Sequence, residues 1–501
     1  MQNADSAYEA LSARLERAMA AQTALTLFEW DNETLAPRQA GELTARVQGA
    51  LSTAYQEAMT GEGMKELLDA CRKEKLDEIP AAIVREAADE YERLACIPPE
   101  EYRAFQELVA KSTRVWAQVK QEQDFEQFAP TLEKIIDFQK RFAGYRAKPG
   151  QKLYDVMLDE YEKGFDMEAL DGFFGLLRDE LVPFFKEVTR SGCQPENGFL
   201  RGDYPEEKQQ ELVEYMAEYV GFDFERGVLA VSAHPFTTNL HNRDVRLTTH
   251  YSDRVDSSLF SVIHEAGHGI YEQGIDDELT QTLLGQGASM GMHESQSRFF
   301  ENILGRSAAF WVPVYPKLQE LFPQQLSGVS REEFVRAVNR VEPGLIRTEA
   351  DELSYSLHVL VRYELEKQLI EENLEVSRLP QLWADKYEEY LGVRPANAAE
   401  GVLQDIHWAQ GSFGYFPSYA LGSAFGAQML HGMRSELDID ALLEAGDLSP
   451  IREYLRSHIH RWGKRKTSRE LLREMTGEDF NPSYYVEYLK EKYGSLCRTR
   501  S

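Results

Sequence analysis

Apolar side chains recur every three to four residues through nearly the first 190 positions of this chain, and that pattern restricts it to helix after helix. Ser6 followed by Glu9 has the form of a capping box, after which Leu11, Leu15, Ala18 and Met19 share one helical face. The same periodicity runs from Val84 to Leu94, from Phe105 to Val119 and from Leu132 to Phe142. Its breaks, Pro98-Pro99 and Lys148-Pro149-Gly150, are short loops. No low-complexity tract, long linker or repeat divides the 501 residues. The expected organisation is one unit spanning 1–501, with a helical part to about 195 and a second part from about 196. The loop from Ser191 to Gly202 marks the change.

Beyond that loop the pattern alters. Val245 to Tyr251 is rich in β-branched and aromatic residues and reads as a strand. Helical periodicity then resumes to the C-terminus, apart from a loop rich in glycine and aromatics near 410–424. The expected fold class is mainly α, a large helical bundle with one small β element. The formal charge of −29, from 84 acidic against 55 basic residues, repels phosphate backbones and anionic lipid, so no nucleic acid and no membrane surface is expected as a partner. The opening MQNADSAYEA has neither a basic start nor an apolar core, and no stretch reaches the roughly 20 apolar residues of a membrane span. The four cysteines, Cys71, Cys96, Cys193 and Cys497, are scattered without a CxxC pair, so no disulfide framework is expected. The cytoplasm is the simplest location.

Histidine placement is uneven. None of the 11 precedes residue 234, and six fall between 234 and 293. Within a segment expected to form a helix, capped by Asp256 or Ser257 and ended by Gly274, lies His264-Glu265-x-x-His268. Histidines at i and i+4 share a helix face, so both imidazoles can reach one metal ion. Glu265, one residue on, is placed to take a proton from water that the ion activates. Zinc suits such a site, because it accepts nitrogen and oxygen ligands and lowers the pKa of bound water toward about 7. A catalytic site of this kind needs a third protein ligand. The residues after His268 hold no further histidine at metzincin spacing, which leaves a carboxylate from a later helix. Met292 to Phe300 begins a second helical run ended by Gly305, and Glu294 within it is the best candidate.

Several further motifs stand in order along the chain: His234-Pro235-Phe236, Asp244-x-Arg246-x-Thr248, His293-Glu294-Ser295-Gln296, Ile346-Arg347-x-x-Ala350-Asp351 and Gly401-x-x-Gln404-Asp405-x-His407-Trp408. With the HExxH segment, and with Trp30-Asp31-x-x-Thr34-x-x-Pro37 upstream, the chain resembles the carboxypeptidase Taq family of metallocarboxypeptidases over essentially its whole length. Ala36 stands where methionine is common in that family. The resemblance implies a helical fold with a deep active-site cleft, similar to neurolysin and angiotensin-converting enzyme. It implies release of single C-terminal residues from short peptides or unfolded C-termini, with broad side-chain tolerance. It also implies one metal per chain, usually zinc with cobalt an effective substitute, at the positions of His264, His268 and Glu294, and it implies a homodimer.

Peptide hydrolysis also needs a donor for the developing oxyanion, which typically contributes about 2.7–4 kcal/mol. His407, Tyr419 and Tyr415 are the candidates; the twelve-residue spacing of His407 and Tyr419 is similar to that in neurolysin-like enzymes. A free terminal carboxylate is read best by a guanidinium, and Arg347 and Arg246 both sit in motifs. Asp351, four residues after Arg347, could instead pair with it, and the strand carrying Arg246 could add to a substrate backbone by its edge. His234, Gln404 and Asp405 are further cleft candidates, Asp405 alternatively orienting a neighbouring histidine. Two other readings share these residues: an oligopeptidase cutting internal bonds, and a helical scaffold with a structural metal. The scaffold is disfavoured because structural zinc sites are usually cysteine-rich, and no cysteine lies near 264–294.

Overall fold

A computed structural model describes residues 6–37, 39–192 and 194–498, and it is mainly α. The N-terminus begins as the sequence predicts, with a complete Ser6–Glu9 capping box leading into α1 (Ala7–Thr34). Three more helices follow, α2 (Gly41–Thr60), α3 (Met64–Cys71) and α4 (Glu78–Ala95). Leu11, Leu15 and Ala18 of α1 meet Met59, Leu68 and Ile83 in a hydrophobic core separate from that of the rest of the molecule. Ile275, Leu279 and Leu284, from a segment beyond the metal motif, enter the same core and join this cap to the body.

Pro99 at the first turn starts α5 (Pro99–Glu122), and Asp124 caps α6 (Phe125–Arg146) by accepting from the Gln127 amide. From Phe105 onward the buried side chains form one continuous core. The β element is a three-stranded sheet in the order β1-β3-β2, with β1 (Gly227–Val231) parallel and β2 (Thr237–His241) antiparallel to β3 (Asp244–Thr249). The expected strand at Val245 is thus the central one. Its two edges are both used, so addition of a substrate to the strand of Arg246 is ruled out; the outer edges of the sheet belong to β1 and β2.

A second correction concerns residues 410–424. Only the part before Pro417 is loop, and Pro417–Met433 is an α-helix with proline at its first position. Its glycines made it look irregular, yet they serve close helix packing. Among the described residues no helix is long and apolar enough to cross a membrane. Cys71 and Cys96 are free thiols, while Cys193 and the side chain of Cys497 lie outside the described part.

Candidate active site

The helix Val255–Gly274 carries the HExxH motif. It ends at Gly274 as expected, but neither Asp256 nor Ser257 caps it: Asp256 pairs with Arg254 at 2.6 Å, and Ser257 bonds the His250 ring at 3.0 Å. Gly267 lets the helix Met290–Arg298 approach closely, since a Cβ there would stand 2.8 Å from the Gln296 carbonyl oxygen. That second helix is capped by Ser289 and runs through a π-helical segment, Phe299–Leu304, to Gly305. On its far side lies Pro417–Met433, where Gly422 meets the stem of Glu294. The helix of Glu294 is therefore packed closely against two others, with Gly267 facing Gln296 and Ser297 and Gly422 facing Glu294 itself.

The result is a cluster of ligand atoms. One atom each of His264, His268 and Glu294 lies within 4.8 Å of the others. Glu294 Oε2 is 3.8 Å from His264 Nε2 and 3.6 Å from His268 Nε2. Two ligands held about 2 Å from a tetrahedral ion stand ~3.3 Å apart, so the spacing fits a zinc-sized cation with little adjustment. Both Nδ1 atoms are engaged elsewhere, which leaves both Nε2 atoms facing the carboxylate. His264 Nδ1 meets Glu301 Oε2 at 2.8 Å, and His268 Nδ1 meets His293 Nδ1 at 2.6 Å. Arg298 holds the other oxygen of Glu294 at 2.8 Å. Burial opposes the charge of Glu294, but Arg298 and the two histidines hold its carboxyl far below the usual range. Burial, reinforced by His293, pushes the His268 imidazole down to about 3, keeping it neutral as a ligand must be.

Glu265 is buried beside the cluster and accepts from Thr237 Oγ1 at 2.6 Å. Burial raises its carboxyl above the ordinary glutamate value, with His264 opposing. A cleft of about 970 Å³ opens over these groups. His264, Glu265, His268 and Glu294 line it, with Tyr415, Ser418 and Tyr419 on one side and Pro235 to Asn239, including part of the open edge of β2, on another. Thr26 and Glu29 of α1 and Ala82 to Asp89 of α4 contribute to a further wall.

The other candidates divide into those at the cleft and those behind it. Tyr415 and Tyr419 line the cleft, with ring centroids 5.2 Å apart. His407 lies behind them and bonds the Tyr419 hydroxyl through Nε2 at 3.1 Å. Burial pushes the His407 imidazole down to about 4, with Asp405 opposing and two guanidiniums assisting. Arg347 is 5% exposed and does not line the cleft. Its guanidinium donates twice to Asp405 Oδ1, at 3.1 and 2.9 Å, and once to the Tyr355 hydroxyl, and it stands 4.6 Å from the centroid of the Tyr419 ring. Asp405 also accepts from Arg362 at 2.7 Å, and Gln404 Oε1 bonds the Arg347 amide and the Arg362 side chain. Asp405 thus pairs with two guanidiniums and makes no hydrogen bond to a histidine. Asp351 is not the partner of Arg347 either. Arg347 sits in a short 3-10 turn, and Asp351 caps the next helix by accepting from Ser354.

Arg246 is tied to Asp244 at 2.8 and 2.9 Å and lies 4.9 Å from the centroid of the Trp30 ring, so two sequence motifs meet there away from the cleft lining. His234 is exposed; its neighbours Pro235 and Phe236 reach the cleft, in a turn braced by Thr248. Residues that carried no role in the sequence reading include Thr237, Glu272, His293, Arg298 and Glu301. Glu272 follows His268 by four positions, the one available signal of a shared face. Glu301 gave none, because it meets His264 only through helix packing.

A two-histidine, one-glutamate centre with a second glutamate at its side, at the floor of a cleft in a helical body, defines a metallopeptidase. The chain belongs to the Carboxypeptidase Taq (M32) metallopeptidase family, whose model matches residues 10–493. It is 44% identical to Carboxypeptidase 1 of Bacillus subtilis over 480 residues, covering 94% of this chain and 95% of that protein. It is 36% identical to Thermostable carboxypeptidase 1 of Pyrococcus furiosus, covering 96% of this chain and 97% of that protein. Among solved structures, the M32 carboxypeptidase from Deinococcus radiodurans R1 superposes with a TM-score of 0.95 at 36% identity, covering 98% of this chain and all (100%) of that one.

Proposed function

We propose that this carboxypeptidase is a zinc enzyme releasing single C-terminal residues from short peptides, with broad side-chain tolerance. His264, His268 and Glu294 hold one ion per chain, and cobalt substitutes for zinc. The observation that carries this reading is the convergence of three nitrogen and oxygen ligands with Glu265 on the floor of the cleft. A bound ion supplies Lewis-acid polarisation of the peptide carbonyl and an acidified water. Glu265 takes the proton of the attacking water and returns it to the leaving amine, and its raised pKa brings it closer to the working pH. Thr237 holds that carboxylate by donating to Oε2. Tyr419, with Tyr415 beside it, donates to the developing oxyanion, while His407 orients the Tyr419 hydroxyl. The open edge of β2 offers its backbone to an extended peptide.

The two arginines contribute indirectly in this reading. Arg347 braces Tyr419 and Arg246 braces Trp30, each paired with an aspartate, which Arg347 shares with Arg362. Gln404 and Asp405 serve the first of these, and His234 marks the rim near Phe236. Homodimeric assembly and a cytoplasmic location complete the proposal, on the resemblance and the sequence signals respectively. The test is a short unblocked peptide beside its C-terminally amidated twin, incubated with zinc-loaded protein and followed by mass spectrometry. Stepwise loss of single residues from the free-ended peptide alone is expected. Internal fragments from both would replace this reading with an oligopeptidase.

A further inference from the structure

His264 and His268 are held from behind in different ways. Glu301 meets His264 directly and is itself held by Arg306 at 3.2 Å and Arg298 at 3.5 Å. Behind His268 stands another imidazole. His293 Nδ1 lies 2.6 Å from His268 Nδ1, and His293 Nε2 lies 2.6 Å from Glu272 Oε1. Glu272 is 3% exposed, and its only ion-pair partner among the described residues is His293. Its remaining bonds are to neutral donors, the Gly287 amide at 3.1 Å and the Asn239 side chain. The His293 ring is gripped as well: a Cβ on Gly287 would stand 2.6 Å from it, and the Tyr271 ring centroid is 5.3 Å away.

The direction of these hydrogen bonds follows from valence. An imidazole that gives its Nε2 lone pair to a cation carries its proton on Nδ1, so His268 donates. His293 Nδ1 then accepts, which puts the proton of His293 on Nε2, aimed at Glu272. A carboxylate is the acceptor that fixes this polarity. A buried negative charge with no lysine or arginine beside it is costly unless a positive charge offsets it. The positive charge available to Glu272 is the one that His268 faces.

We infer that Glu272 and His293 form a positioning relay that fixes the tautomer and aim of His268 and raises the affinity of the site for its metal. Neither residue touches the ion. The relay extends to an intervening imidazole the usual practice of bonding a ligand histidine to a carboxylate. It also leaves the two ligand histidines unequal: the carboxylate behind His264 is pinned by two guanidiniums, whereas the carboxylate behind His293 has only neutral donors besides that ring.

This inference rests on the metal site proposed above, and its test separates the two. Zinc affinity is measured by competition with a chromophoric chelator for the parent, His293→Leu, Glu272→Gln and the double variant. The melting temperature of each is taken with and without zinc. The parent binds one zinc per chain; failure to do so overturns both the site and the relay. Each single variant is expected to bind zinc about 10–100-fold more weakly and to lose part of the zinc-induced rise in melting temperature, taken against its own metal-free form. The double variant is expected to be no weaker than His293→Leu alone, because Glu272 acts on His268 only through His293. Affinities within two-fold of the parent, or losses that multiply in the double variant, overturn the relay. If His293→Leu fails to fold, unchanged zinc affinity in Glu272→Gln overturns it alone.

Discussion

Gly422 offers a direct way to displace the third ligand without altering any ligand. A Cβ at this position would stand 2.7 Å from both Cβ and Cγ of Glu294 and 3.0 Å from its carbonyl carbon. Carbon atoms in contact settle about 3.5–4.0 Å apart, so Gly422→Ala requires a separation of roughly 1 Å. The stem of Glu294 cannot swing to provide it, because its carboxylate is held by Arg298 and the residue is buried. The movement must therefore be shared by the helices Met290–Arg298 and Pro417–Met433. Overpacking of this kind costs about 1–3 kcal/mol of stability. Its effect on the site is larger, since a ligand oxygen about 2.0–2.2 Å from zinc loses its bond when moved by ~1 Å. The expected result is a folded protein, melting somewhat below the parent, whose zinc affinity falls at least ten-fold and whose peptidase activity falls with it. Chelator competition and thermal unfolding of the metal-free protein measure the two effects separately. Zinc affinity within two-fold of the parent would refute the argument that Gly422 sets the position of Glu294.

Two further outcomes follow from buried charge. Asp405→Asn leaves Arg347 and Arg362 without their shared carboxylate, and breaking a buried pair in this way costs about 3–5 kcal/mol. Urea unfolding measures the loss, and a change under 1 kcal/mol would show that Gln404 and the surrounding hydroxyls are enough to solvate the two guanidiniums. Glu162 is buried with bonds from Ser289, Ser468 and the Gly291 amide, and burial raises its carboxyl to about 7. A folded pKa above the unfolded one means that its contribution is full below about 4.5 and is lost as pH rises through about 7. The parent is therefore expected to lose stability relative to Glu162→Gln between pH 5 and pH 8, by a few kcal/mol at most, and parallel urea midpoints would contradict it.

What could be read from the sequence was the chemistry that one helix carries by itself. His264, Glu265 and His268 need only the helical period to converge, and Glu294 needed only the rule that a third ligand comes from a later helix. The Ser6–Glu9 box was legible for the same local reason. Features made by the meeting of distant segments were not. Glu301 and Glu272 looked like ordinary helix glutamates, since their partners lie across packed faces or beyond a loop. Arg347 looked available for substrate because its neutralising aspartate is 58 positions away and in another motif. Residues 417–424 looked like loop because glycine is a poor helix former, whereas Gly422 is selected by what lies against it rather than by backbone propensity.

Besides the stacking of Arg246 on Trp30, the cap of α1 to α4 meets the body through two unlike kinds of contact. One is the apolar junction at Ile275, Leu279 and Leu284. The other is a set of ion pairs from α4, joining Glu78 to Arg465, Glu86 to Lys464 and Asp89 to Lys163 around the cleft mouth. Dissolved salts act on the two in opposite ways. Any electrolyte screens the exposed pairs, within about 10 Å at 0.1 M ionic strength, but a strongly hydrated anion such as sulfate also drives apolar surfaces together. At matched ionic strength chloride is expected to weaken the ion pairs alone, and sulfate to weaken them equally while strengthening the apolar junction at Ile275, Leu279 and Leu284. The balance between the two contacts therefore depends on which anion is dissolved as well as on the ionic strength.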